Sequence, residues 1–516
     1  MSGTILQEKL RESGTLLAGR VALSVPAAEA WSFIRDMENY PRWFPGILRM
    51  RSLDDKPIGV VGKRYSELAE LPGGGVEEIS VEVVVANEAD MHLAIEADLV
   101  PVLPRFDYRV VAAGENKCVF EWQAGSRGEG LFAWFGRRVF PRVVGPRLKR
   151  GLTNLKRVLE KPPRDIMRAV QFREFGPARD VTVIESAAAR PSPGKGEVLV
   201  RQLASSVNHI DCLRRQGYGQ RIMSLRGALN RPVTLGNDVC GVVTEVGAGA
   251  ERFASGVLVL GVKPPSSSGS FADYVVARAD LLVPFPTTMD PAVVAGAPYV
   301  FITAWNAVVN EGGLSPRSGK KLFVQGGGGG VGAMAVQIGK SLGAHVIASC
   351  AADQIDAVLS MGADEAIDYA TTDLSDRAGQ FDLVICTANA AEQAQLIALL
   401  KTSSEARYVT VIHPTLSLVD DHGIIRGMLA AKRQLRQLNR RLKTAGQSAH
   451  WVLFKAQPDA LAALGRMIHG GELVVPVDSV WPLDRAAEAQ ERLESGKANG
   501  KVILKIGEKQ EIARWE

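Results

Sequence analysis

Hydrophobic and polar residues alternate in two ways along this chain, and the change from one to the other marks its organisation. Between Arg20 and Trp122 the period is mostly two. Arg20–Pro26, Ile79–Val85 and Phe106–Val111 place apolar side chains at alternate positions, with Gly and Pro turns between them, the pattern of an antiparallel sheet with one buried face. Within this region Ala27–Met37 has helical spacing, with Trp31 and Ile34 on one face. Residues Asn39 to Pro45 form a rigid aromatic and proline corner, and Leu131–Leu159 becomes helical towards its end. Trp31, Trp43 and Phe44 fit core packing better than ligand contact. A second start follows at Met167, with strands predicted over Met167–Phe172, Val181–Ile184 and Val198–Ala204. Beyond residue 320 the strands become short and mainly apolar, at Leu322–Val324, His345–Ala348, Phe381–Cys386 and Ala406–Ile412, with helical patterns between them. Runs of that kind belong to a parallel sheet covered on both faces.

One stretch joins these elements to chemistry. In KLFVQGGGGGVGAMAVQIGKSLGAHVIASC, Lys321 to Cys350, a strand, a glycine turn, a helix and a second strand follow one another in about thirty residues, the context that makes a glycine fingerprint informative. Gly327, Gly329 and Gly332 fit its three positions: a tight turn, close approach of a pyrophosphate, and close packing of helix on strand. The free N–H groups of the helix N-terminus would then face the pyrophosphate of a dinucleotide.

Composition narrows the picture. The chain has 516 residues, which calls for two to four domains, and its 46% hydrophobic and 23% charged content is that of a globular enzyme. A net charge of +5 over this length gives no argument for nucleic acid. The five cysteines, Cys118, Cys212, Cys240, Cys350 and Cys386, are dispersed without a CxxC, so neither a disulfide framework nor a structural zinc lobe is expected. There is no basic start followed by an apolar segment, and no apolar run is read as a membrane span, so a cytoplasmic protein is expected. Two segments are strongly basic. Arg137–Arg164 has ten Lys or Arg against one acid, Glu160, and ends in the linker Lys161-Pro162-Pro163-Arg164; residues 432–443, KRQLRQLNRRLK, place Leu435, Leu438 and Leu442 at helical spacing. A solvated helix face, subunit packing in a homodimer and peripheral contact with an anionic membrane all fit such segments.

Val25 to Ile47, VPAAEAWSFIRDMENYPRWFPGI, and the terminal helix GPRLKRGLTNLKRVLE resemble the polyketide-cyclase/START-like (SRPBCC) superfamily. The resemblance implies a helix-grip domain over 1–161, a curved sheet wrapped around a long helix, that takes hydrophobic ligands. Val207-Asn208-His209-Ile210-Asp211, Pro232 to Gly247, Gly269 to Tyr274, Pro298-Tyr299 with Thr303-Ala304-Trp305, the glycine turn and the closing Gly500 to Leu504 resemble the medium-chain dehydrogenase/reductase superfamily. That implies an α+β, GroES-like catalytic domain over 166–290, a Rossmann domain with a doubly wound parallel sheet over 291–455, and a return to the catalytic domain over 456–516.

Within this superfamily, zinc enzymes carry Cys where Asn208 stands and His-Glu where Asn237-Asp238 stand. Tetrahedral zinc needs Cys, His or carboxylate ligands, so no metal is expected. The chain looks like the zinc-independent quinone oxidoreductases, and more closely like the mitochondrial reticulon-interacting NADPH oxidoreductases, through Gly217-Tyr218-Gly219, Tyr408 to Val411 and Gly423 to Leu429. The resemblance implies hydride transfer to a quinone or related hydrophobic carbonyl, with reduction of an enone C=C bond as the alternative. A third reading is a lipid or quinone carrier regulated by NADPH. It implies Asn208, Tyr218 and Tyr299 as donors to the acceptor oxygen and Thr303 beside the nicotinamide. Gly327, Gly329, Gly330, Val331 and Gly332 would hold the pyrophosphate, with Ser349, Tyr369, Val411 and Lys501 completing the cofactor site. NADPH is favoured over NADH because Ser349-Cys350 ends the second strand without the acid that would repel a 2′-phosphate. Asp353 is expected to cap the next helix, and Gln354 stands where some relatives carry a phosphate-binding Lys. Asp211 fits a structural role, and His413 is read as a surface residue rather than a proton donor.

Overall fold

The computed structural model describes residues 15–508 apart from 71–75, 101, 129, 161–165, 226–228, 230 and 318; the proposed linker Lys161–Arg164 therefore lies outside the described residues. The chain divides into two compact units, Met1–Ile166 and Met167–Glu516.

In the first unit the period-two segments form a seven-stranded antiparallel sheet from β1 (Thr15–Leu23), β2 (Ile47–Ser52), β3 (Arg64–Glu70), β4 (Val76–Asn87), β5 (His92–Ala97), β6 (Pro104–Ala112) and β7 (Cys118–Ser126), in the order β1-β7-β6-β5-β4-β3-β2. Helix α1 (Ala27–Ile34) buries Trp31 and Ile34 as its spacing requires. The aromatic corner is itself helical, containing the short α2 (Tyr40–Trp43) with Pro41 in its first turn, where the missing N–H costs nothing. The terminal helix α3 (Gly130–Glu160) starts well before the expected helical portion and runs through Pro141 and Pro146. Leu148, Leu152, Leu155 and Leu159, spaced one turn apart, are all buried, so packing onto the core outweighs the backbone bonds the prolines remove. Gly19 permits that approach, since a Cβ there would stand 2.9 Å from Leu152 and 3.0 Å from Leu148. Trp43 and Phe44 are buried in an aromatic cluster, the packing role expected of them.

The second unit holds a mainly antiparallel seven-stranded sheet, a three-stranded sheet and a six-stranded parallel sheet. In the parallel sheet, strand Lys321–Gln325 pairs with His345–Cys350 on one side and Leu383–Cys386 on the other. The order of strands therefore reverses at the carboxyl end of Lys321–Gln325, which is where the glycine turn begins, and ligands of open α/β sheets bind at such a reversal. The chain then returns: Lys501–Lys505 pairs antiparallel with Glu197–Val207, nearly three hundred residues earlier. One expectation about apolar runs needs correction. Pro291–Glu311 is long and apolar enough to cross a membrane, but 72% of its most apolar window is buried inside the protein, so its hydrophobicity is that of a core helix.

Candidate active site

The pairing of the last strand with Glu197–Val207 sets Val207 opposite Val502 and so brings Lys501 beside Asn208. Lys501 Nζ donates to Asn208 Oδ1 at 2.6 Å and lies 3.4 Å from the Val207 carbonyl. Asn208 Nδ2 donates to Asp238 Oδ2 at 2.7 Å and to the Ser206 carbonyl at 3.3 Å. Asp238 also accepts from the Ser206 hydroxyl and, at 2.7 Å, from the Tyr299 backbone N–H. All of these side chains except Tyr299 are buried. Burial pushes the Asp238 carboxyl above the usual range, while Lys501 and the hydrogen bonds from Ser206, Asn208 and the Tyr299 N–H pull it back. Burial pushes the Lys501 ammonium down, and Asp238 and Asp211 oppose that. A buried ammonium is tolerable because an amide oxygen and a nearby carboxylate share its charge.

Asp211 has the structural role expected of it. Its carboxylate accepts from the backbone N–H of Asn208 at 2.9 Å and of Gly236 at 3.1 Å, joining the helix His209–Arg215 to the next segment. Burial nevertheless raises it to about 6. Arg214, one turn on, is buried with all three guanidinium nitrogens lacking a hydrogen-bond partner, and Asp211 and Tyr299 supply its electrostatic environment.

Tyr299 opens the helix Pro298–Trp305 and stacks on Phe454 with ring centroids 4.5 Å apart. Burial pushes its phenol up, the charges of Asp211 and Asp238 push it further, and Arg214 opposes them. Tyr218 is half-buried between Gly217 and Gly219, both at positive φ, and the Gly219 N–H donates to Asp420 at 2.6 Å. Thr303 returns its hydroxyl hydrogen to the Tyr299 carbonyl at 2.8 Å. His413 is not the free surface residue expected. It lies half-buried against Trp451, its Nε2 2.9 Å from the Val452 carbonyl, and burial lowers its pKa.

The glycine turn is built by crowding. Gly326 has φ +81, and a Cβ at Gly332 would stand 2.0 Å from the Gly326 carbonyl oxygen. Gly327 is packed on Ala348, where a Cβ would stand 2.7 Å from the Ala348 side chain. Gly329, the N-cap of helix Gly330–Ser341, has φ −79, so positive φ is not what calls for glycine there. A Cβ at Gly329 would meet only the Gly326 oxygen at 3.4 Å; the space beyond it is open, as a cradle for a bound group requires. At Gly330 a Cβ would approach the Lys501 chain to 3.0 Å, which ties the glycine turn to the polar network. Ser349 is buried at the end of its strand, where its carbonyl accepts from Gly326 and Gly327. Tyr369 is exposed and its N–H donates to the Cys350 carbonyl, beside that strand end. Val411 is half-buried just after strand Arg407–Thr410. Asp353 does not cap the next helix: Ala351 and Gln354 hold the cap positions, and the Asp353 carboxylate accepts from Asn499 at 2.9 Å. Gln354 lies over Gly328 and donates to the same Asn499 at 3.1 Å.

These donors do not suit zinc. Asn208 is committed through both its oxygen and its nitrogen, a lysine occupies the third corner, and Asp238 is the one carboxylate. Among the described residues no group of three or more His, Cys, Asp or Glu side chains is arranged to hold a metal.

Three family models match the chain: polyketide cyclase / dehydrase and lipid transport over residues 17–160, the alcohol dehydrogenase GroES-like domain over 194–287, and zinc-binding dehydrogenase over 361–504. The mitochondrial NAD(P)H oxidoreductase RTN4IP1 of Mus musculus is 32% identical over 325 residues, covering 60% of this chain and 82% of the relative. The family is thereby fixed. The chain belongs to the NAD(P)H oxidoreductases of the reticulon-4-interacting protein 1 type. The chloroplast envelope quinone oxidoreductase homolog of Arabidopsis thaliana is 30% identical over 349 residues, covering 66% of this chain and 98% of the relative. Among solved structures, the quinone oxidoreductase from Coxiella burnetii superposes with a TM-score of 0.55 at 25% identity, over 66% of this chain and 99% of that one. This oxidoreductase thus carries its additional N-terminal unit ahead of the region shared with those relatives. The names of these relatives place them in mitochondria or chloroplasts.

Lys501 is expected beside the cofactor, and its bond to Asn208, 293 residues away, is not visible in the local pattern. The signal was a lysine opening a short apolar strand that is buried on both sides. Ser206 and Arg214 carried no signal, because nothing in their local pattern marks them as buried beside the site.

Proposed function

We propose that this enzyme transfers a hydride from NADPH to a quinone or related hydrophobic carbonyl, without zinc, and that its N-terminal unit holds the hydrophobic acceptor. The observation that carries the reading is the buried Asp238–Asn208–Lys501 chain standing next to an open glycine cradle. NADPH supplies the hydride, and the protein must orient the acceptor and stabilise the negative charge that develops on its oxygen. Both Asn208 amide hydrogens are already committed, so we assign Asn208 the holding of Lys501 and give the Lys501 ammonium, with a hydrogen to spare, the role of donor to that oxygen. Tyr299 and Tyr218 line the space the acceptor would fill. The glycine turn from Gly327 to Gly332 would receive the pyrophosphate, with Thr303 and Val411 beside the nicotinamide and Ser349 and Tyr369 beside the 2′-phosphate. We assign the nucleotide-binding domain to residues 291–455 and the catalytic domain to 166–290 and 456–516.

We place the enzyme in the cytoplasm, as a homodimer in peripheral contact with an anionic membrane where hydrophobic acceptors partition. In support, helix Ile424–Leu442 exposes Ile425 and Leu429 beside Arg426, Lys432, Arg433, Arg436 and Arg440, none of which is paired among the described residues. NADPH oxidation by purified protein, compared across quinones, enones and aldehydes and repeated with NADH, tests the reading. Turnover highest with quinones and NADPH supports it; enones outrunning quinones, or equal use of NADH, overturns the corresponding assignment.

A further inference from the structure

The loop that opens the last strand reaches across to the far side of the glycine turn. Asn499 stands two residues before Lys501, and its side chain bridges to a segment about 146 residues earlier. Its Nδ2 donates to Asp353 Oδ2 at 2.9 Å, and its Oδ1 accepts from Gln354 Nε2 at 3.1 Å. The bridge is braced from behind. The Asn499 backbone N–H donates to Asp478 Oδ1 at 2.9 Å, and Arg492 holds that carboxylate through hydrogen bonds of 2.6 and 2.9 Å. At the other end, Asp353 lies in the short turn Ala352–Gln354 that follows strand His345–Cys350. It is the first acid after that strand end, the region from which a dinucleotide enzyme offers a carboxylate to a ribose diol. Asp368, paired with Cys350 across the sheet, is spent on its own turn: it accepts from the Ala370 N–H at 2.9 Å and the Thr371 hydroxyl at 3.0 Å. Asp353 is thus the carboxylate that a ribose could meet here, and Asn499 has hold of it.

We propose that Asn499 sets the dinucleotide preference of this enzyme by engaging the Asp353 carboxylate and so withdrawing it from the ribose. A free carboxylate at this place accepts hydrogen bonds from the 2′- and 3′-hydroxyls of NADH and repels the 2′-phosphate of NADPH. Bonded to an amide hydrogen, the same carboxylate has one oxygen committed, its direction fixed and part of its charge offset. An amide suits both halves of the bridge, because its nitrogen serves Asp353 while its oxygen serves Gln354. Gln354, held in this way, lies over Gly328 at the glycine turn. The preference is then decided by a residue of the returning catalytic segment rather than by the nucleotide-binding strand itself. The inference rests on the reading that NADPH binds with its 2′-phosphate beside Ser349 and Tyr369.

The test is fluorescence titration of the full-length protein with NADPH and with NADH, which reads affinity without turnover. Asn499→Ala should lower the ratio of NADPH to NADH affinity about tenfold. Asp353→Asn added to Asn499→Ala should bring the ratio back to within about twofold of the wild-type value, because the released carboxylate is gone. Asp353→Asn alone should hold the ratio or raise it, since that carboxylate is already engaged. A bridge that merely clamps two segments together would change both affinities alike, and an unchanged ratio in Asn499→Ala would overturn the proposal. A ratio that falls equally with and without Asp353 would assign Asn499 a direct contact with the phosphate, and a ratio that falls in Asp353→Asn alone would make the carboxylate itself favour NADPH; either overturns it. The wild-type titration checks the reading underneath. NADH bound as tightly as NADPH refutes the NADPH assignment, while a ratio that still falls with Asn499→Ala and returns with Asp353→Asn leaves the role of Asn499 standing.

Discussion

The Lys501 ammonium stands 2.6 Å from the Asn208 side-chain oxygen although 293 residues separate them. If Lys501 is the donor to the acceptor oxygen, Lys501→Met should lower kcat about 100-fold, the scale of losing one pre-organised donor, while NADPH binding persists. Because burial holds the ammonium below its ordinary value, the wild-type rate should fall on the alkaline side at a lower pH than an exposed lysine would give. That limb should be missing from Lys501→Met. An unchanged kcat in the folded variant would return the donor role to Tyr218 or Tyr299.

Two glycines of one turn should respond differently to the same substitution. Gly329→Val places its methyls in the open cradle, so the protein should fold with an unchanged Tm and lose NADPH affinity by more than about 100-fold. Gly332→Val forces a Cβ against the Gly326 carbonyl oxygen 2.0 Å away, so it should lower the Tm as well. Fluorescence titration with NADPH and thermal melts separate the two. Intact NADPH binding by Gly329→Val would move the cofactor elsewhere.

Metal content provides a third check. The Asp238–Asn208–Lys501 network has a single carboxylate and no His or Cys among its members, so purified protein should contain well under one zinc per chain, and a chelator should leave turnover unchanged. Stoichiometric zinc whose removal stops turnover would contradict the network drawn here.

Glu67 makes the stability of the N-terminal unit depend on pH. Burial raises its carboxyl from 4.5 to about 7, so between those values the native state binds more protons than the unfolded chain. Stability must therefore fall as pH rises through that window, by about 3 kcal/mol at most, and level off above it. Glu67→Gln should flatten this part of the curve. Urea unfolding of the ligand-free protein at a series of pH values measures it; an identical slope in the variant would assign the dependence to another group.

The fusion itself can be tested by cutting the chain after Arg164, since Met167–Glu516 is a compact unit of its own. With a small soluble quinone the truncated enzyme should keep its kcat. With a long-chain quinone presented in vesicles its kcat/KM should fall about tenfold, through loss of the effective concentration that a tethered acceptor provides. Equal losses on both substrates would make the N-terminal unit a structural support.

The sequence alone determined whatever depends on neighbours along the chain. The period-two segments became β1 to β7 because alternate side chains must face one core, and the glycine turn was readable because strand, turn and helix are consecutive in the chain. Proline rules failed in α3, where Leu148, Leu152, Leu155 and Leu159 gain from packing what Pro141 and Pro146 withhold from the backbone. The apolar helix Pro291–Glu311 likewise has the composition of a membrane span and the burial of a core element. Only the tertiary structure decided what Asn208 does. Its amide is spent on Asp238 and Lys501, and that follows from the antiparallel pairing of Glu197–Val207 with Lys501–Lys505, a register fixed by packing across the whole second unit.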